Sequence, residues 1–118
     1  MKYAIISDIH SNYKALCKVL VDIKQREVDK IISLGDQIGY GLFPDAVLNE
    51  LQKQNVESIM GNHELALFDK AEYNAMSREG RTVSMLELEL SVIIIKSKVC
   101  ILVSTSNNYN KILIHGFL

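Results

Sequence analysis

The strongest constraint on how this chain folds is a repeated unit: an apolar, β-branched run stopped by a polar cluster, then a stretch of helical spacing. Lys2–Ser7 and Lys30–Leu34 read as buried strands, and Val56–Met60 reads as a third strand broken by Gly61. Between the first two, Ser11 or Asn12 can cap a helix running to about Arg26, with Leu16, Val19, Leu20 and Ile23 on one face. Between the second and third, Pro44 suits the first turn of a helix reaching about Gln54, with Ala46, Val47, Leu48 and Leu51 as its apolar side. This β-α-β-α-β order predicts an α/β fold built on a parallel sheet with right-handed crossovers.

The second half is expected to be strand-rich. Leu65–Phe68 continues as a short helix, and Ala71–Leu90 holds helix formers without a clean period. Val92–Ile95 and Val99–Val103 look like strands joined by a Lys-Ser-Lys turn, and Ile112–Ile114 is a last strand. The 118 residues fit one domain, 1–118, with no repeat, low-complexity tract or linker. A net charge of −1 argues against a general nucleic-acid or membrane binder. Lys14, Lys18, Lys24 and Arg26 read as a solvated helix face. Cys17 and Cys100 form no disulfide framework and are expected to be reduced, in a cytoplasmic protein. The N-terminus meets a charge too early for a signal peptide. The Val92–Val103 stretch, interrupted by Lys96 and Lys98, is too short to span a membrane.

The polar residues carry the functional information. Asp8 and His10 follow the first strand, Asp36 the second, and Asn62 and His63 the third. In an open parallel sheet, ligands bind at the carboxyl ends of the strands, so these five residues are delivered to one edge. Carboxylate and imidazole donors suit Mn²⁺, Fe²⁺ or Zn²⁺. An aspartate between two such ions, about 3.5–4 Å apart, can bridge them, and the pair can clamp a phosphoryl group and activate water. Taken singly, each motif has a plainer reading. Asp8 and His10 can cap a helix, Asp36 can serve a turn, and Asn62-His63-Glu64 can start a helix. Three in order, each after a strand, outweigh those readings. Glu64 itself is read as a helix-start residue. Tyr40 and Phe43 either line a substrate mouth or pack as a lid.

Asp8-Ile9-His10, Gly35-Asp36-Gln37-Ile38-Gly39-Tyr40-Gly41 and Gly61-Asn62-His63-Glu64 together resemble the calcineurin-like metallophosphoesterase family, and most of all its small bacterial and archaeal phosphodiesterase branch. The resemblance is dense over residues 1–68 and thin beyond. It implies part of an α-β-β-α sandwich and two divalent ions: Mn²⁺ first, with Fe²⁺, Zn²⁺ or Ni²⁺ as alternatives. It further implies that a small phosphate mono- or diester is hydrolysed by a two-metal hydroxide mechanism. Asp8 and His10 would hold the first ion, Asp36 would bridge both, and Asn62 would bind the second. His63 would face the substrate phosphate as a catalytic group. His115, before Gly116, would also bind the second ion.

The family pattern closes with a Gly-His-x-His segment that has no counterpart here, since the three histidines are already assigned. A C-terminally shortened homologue, a fragment or a decayed copy is therefore expected, with an exposed sheet face that favours self-association. The alternative to an enzyme is a non-catalytic remnant that binds metal or phosphate. A nucleotide-binding domain is disfavoured, because the loop after the first strand lacks Gly-x-Gly-x-x-Gly.

Overall fold

The computed structural model describes residues 1–84, 98 and 99. Strand β1 (Tyr3–Ile6) leads to helix α1 (Tyr13–Gln25), strand β2 (Lys30–Ser33), helix α2 (Pro44–Lys53) and strand β3 (Glu57–Ser58). Two short helices follow, α3 (Asn62–Leu65) and α4 (Lys70–Ala75), and residues 78–84 are helical again. The strands form one parallel sheet in the order β1-β2-β3. Tyr3 pairs with Lys30 and Ile6 with Ser33, while β3 pairs only through Glu57 and Ser58.

Helix α1 begins where the sequence allows. Asn12 is the N-cap, its side chain accepting from Ala15 N–H at 3.1 Å, which satisfies one of the helix's free donors. Leu16 and Ile23 are buried on its inner side. Val19, expected on that side, is 42% exposed; the buried stripe runs through Tyr13, Leu16, Leu20 and Ile23, and Val19 falls at its margin. Helix α2 starts at Pro44 as expected and buries Val47, Leu48 and Leu51. These three residues join Leu16, Ile38, Val56, Leu67 and Val99 in one core against the sheet. Each fully buried leucine contributes about 1.5–3 kcal/mol.

The first strand is less buried than its sequence suggests. Ala4 and Ile6 turn toward the helices, but Tyr3 and Ile5 are 50% and 55% exposed. An apolar strand is fully buried only when both faces are covered, and among the described residues the helices cover one. Most of the expected strand-rich second half, with the closing strand Ile112–Ile114, lies outside the described residues. Lys98 and Val99, assigned to a turn and a strand from sequence, are helical. Val99 packs into the core and Lys98 pairs with Asp45 of α2. A short apolar run does not by itself separate buried strand from buried helix.

Candidate metal centre

The three strand tips meet because their loops are bonded to one another. His10 N–H donates to Asp36 O at 2.9 Å and Ser11 N–H to Gln37 O at 2.8 Å, laying the loop after β1 along the loop after β2. One side chain ties that second loop to the third. The buried Glu64 carboxylate accepts from Gln37 N–H (2.7 Å) and Ile38 N–H (3.1 Å) through Oε1. Through Oε2 it accepts from the N–H groups of Asp36 and Gly61, both at 2.8 Å. Burial and the Asp36 carboxylate push the Glu64 carboxyl up to about 7, against the pull of the N–H donors. The loops approach so closely that a Cβ on Gly61 would lie 2.2 Å from Asp36 Oδ1 and 2.5 Å from Asp36 N, which leaves room for glycine alone.

This framework brings one potential ligand atom each of Asp8, His10 and Asp36 within 4.8 Å of one another, with Asp8 exposed and the other two half-buried. His10 Nδ1–H donates to the Ile38 carbonyl at 3.0 Å, which leaves Nε2 as the ring's ligating atom. The Asn62 amide stands 3.1 and 3.2 Å from the two Asp36 oxygens. With its nitrogen toward them it donates to both. With its oxygen toward them it completes an all-acceptor cluster that a cation would fill. Two carboxylates, an imidazole and an amide oxygen form a donor set suited to a divalent ion of intermediate softness.

His63 lies behind this cluster. It is 4% exposed, its N–H donates to Asp36 Oδ1 at 3.1 Å, and its Nδ1 has no hydrogen-bond partner among the described residues. Burial lowers its pKa; the Asp36 and Asp8 carboxylates oppose that effect and His10 adds to it. The ring is therefore neutral at pH 7. Tyr40 closes the group, with its ring centroid 5.0 Å from that of His10 and 4.9 Å from that of His63. Asp8, His10, Ser11, Asp36 and Tyr40 all have φ between 46° and 61°, a region costly for side-chain-bearing residues and concentrated at functional sites.

Of the site residues expected from sequence, Asp8, His10, Asp36, Asn62 and His63 are brought together; His115 lies outside the described residues. The sequence reading missed the reach of Glu64, although the Gly61-x-x-Glu64 spacing of a helix start was its signal. It also missed Gln37, buried and donating to Ser33 Oγ and Ile59 O at 3.0 and 3.2 Å. A larger cavity of about 850 Å³, lined by residues such as Lys24, Asp29 and Lys30, opens at the other end of the strands and includes none of the cluster.

Comparison with known proteins agrees with this geometry. An uncharacterised protein, MJ0912, of Methanocaldococcus jannaschii is 42% identical over 77 residues, covering 65% of this chain and 32% of that protein. The crystal structure of a metallophosphoesterase from Sphaerobacter thermophilus superposes with a TM-score of 0.56 at 31% identity, over 82% of this chain and 40% of its own. The chain thus spans about a third of the length of the first and two fifths of the second. The family model for calcineurin-like phosphoesterases matches residues 1–116. With that match running nearly end to end over the three joined strand tips, the chain belongs to the calcineurin-like phosphoesterase family.

Proposed function

We propose that this chain carries a metal-dependent phosphoesterase site acting on a small phosphate mono- or diester. The observation that carries the reading is the convergence of Asp8, His10 and Asp36 ligand atoms within 4.8 Å at the carboxyl end of a parallel sheet. Asp8, His10 and Asp36 would hold one divalent ion, and Asp36 with Asn62 would contribute to a second; Mn²⁺ is the ion we assign. When bound, such ions would clamp the phosphoryl group and lower the pKa of water between them. His63, neutral and with its ring centroid 4.8 Å from that of His10, would donate a hydrogen bond toward a phosphoryl oxygen or the departing alkoxide. Ile38 O fixes the His10 ring, and Glu64 fixes the loop that presents Asp36. The setting expected for the chain is cytoplasmic; among the described residues no helix is long and apolar enough to cross a membrane.

The test is hydrolysis of bis-p-nitrophenyl phosphate and p-nitrophenyl phosphate with added Mn²⁺, wild type against Asp36→Ala. A rate that falls at least a hundredfold in the variant supports the reading, and equal rates reject it. A second reading, a module that binds one ion without turnover, is favoured by the uneven donor supply: three described residues for one ion, two for the other. Calorimetry separates them, since one Mn²⁺ per chain with no hydrolysis belongs to the module and two with hydrolysis to the enzyme.

A further inference from the structure

Beside the metal cluster lies a cleft of about 410 Å³, lined by Asp8, His10 and Asn12 on one side and by Tyr40, Leu42 and Phe43 on the other. That volume falls within the range of small-molecule sites and exceeds what a bare phosphate needs. Tyr40, Leu42 and Phe43 are 49%, 85% and 51% exposed. Exposed apolar residues taken singly mean little, but three within four positions of one loop form a patch that a ligand can cover. The loop is held in place. Phe43 N–H donates to Ser11 O at 3.3 Å, and Gly41 N–H donates to Gly39 O at 2.7 Å. A Cβ on Gly41 would stand 2.3 Å from His10 O, so the loop rests directly on the backbone that presents His10. Among the described residues the cleft lining contains no Lys or Arg, so none of them rewards a second anionic group.

We infer that this cleft seats the alcohol portion of the phosphate ester, and that Tyr40, Leu42 and Phe43 select esters bearing a flat, uncharged ring over alkyl esters and polyphosphates. The inference rests on the phosphoesterase reading and names its substrate class. The cleft shares Asp8 and His10 with the metal cluster, so a phosphoryl group held at that cluster would bring its ester oxygen beside the cleft. A ring attached there lies against aromatic side chains that favour stacked or edge-on contact.

Binding, independent of turnover, tests it. Calorimetry with Mn²⁺ present compares phenyl phosphate, methyl phosphate and inorganic phosphate. Wild type should bind phenyl phosphate about tenfold or more tighter than methyl phosphate. In the double variant Leu42→Ser, Phe43→Ser the two affinities should converge, with that for inorganic phosphate unchanged. Folding is not at risk, because Phe43 is the N-cap of α2 and makes no side-chain cap bond, a place where serine is favourable. Equal affinity for phenyl and methyl phosphate in wild type, or an unchanged preference in the variant, overturns the inference while leaving the phosphoesterase reading intact. Failure of inorganic phosphate to bind at all sinks both.

Discussion

Glu64→Gln is the substitution that most directly probes how the site is assembled. It preserves side-chain shape, so no cavity opens and only hydrogen bonding changes. In the native protein two carboxylate oxygens accept from four backbone N–H groups. Glutamine has one oxygen. That oxygen keeps one pair of donors, and the amide nitrogen meets the other pair donor against donor. A carboxyl oxygen retains lone pairs whether protonated or not; an amide nitrogen does not. Two buried N–H groups are therefore orphaned, at about 1–3 kcal/mol each, for a total of about 2–6 kcal/mol. That is a large share of the roughly 5–15 kcal/mol that holds a domain folded. In urea unfolding followed by circular dichroism, a loss of even 2 kcal/mol lowers the midpoint by about 1 M. Mn²⁺ affinity should fall as well, because the loop bearing Asp36 loses its anchor. The exposed residue in Glu79→Gln serves as control. A Glu64→Gln midpoint no different from that of the control would refute the reasoning.

Other outcomes follow from the same structure. Gly61→Ala forces a methyl group onto Asp36 Oδ1 and N, so it should cost about 1–3 kcal/mol and weaken Mn²⁺ binding at least tenfold by calorimetry. His63 has its pKa lowered from 6.5 by burial, so the unfolded chain takes up a proton first as pH falls. Stability in EDTA should therefore decline below about pH 6.5, and His63→Gln should flatten that part of the Tm–pH curve. Leu51→Ala, at a fully buried position, should cost about 2–5 kcal/mol in urea. Asn12→Ala removes the α1 cap and should cost about 1 kcal/mol by the same measurement.

The β-α-β-α-β frame was legible because its signals are local: apolar runs, Pro44 at a helix start, and Asn12 as a cap. The convergence of Asp8, His10, Asp36, Asn62 and His63 was legible because the carboxyl-end rule converts chain order into spatial proximity. What escaped depended on three-dimensional partners. Ile5 looks like core in sequence, yet its strand presents it to the uncovered face. Val19 has the right spacing for the α1 stripe to within one position, which is enough to expose it. Glu64 signals only its own helix start, while three of its four donors come from a loop 26–28 residues away. No pattern within one segment announces such a bond.

The left-handed backbone at Asp8, His10, Ser11, Asp36 and Tyr40 has a thermodynamic corollary. Unfavourable conformational energy is gathered at the strand tips, where the hydrogen bonds that join the loops hold it in place. A cation bridging Asp8, His10 and Asp36 would hold that spring closed, and its occupancy would appear as added thermal resistance of the whole domain.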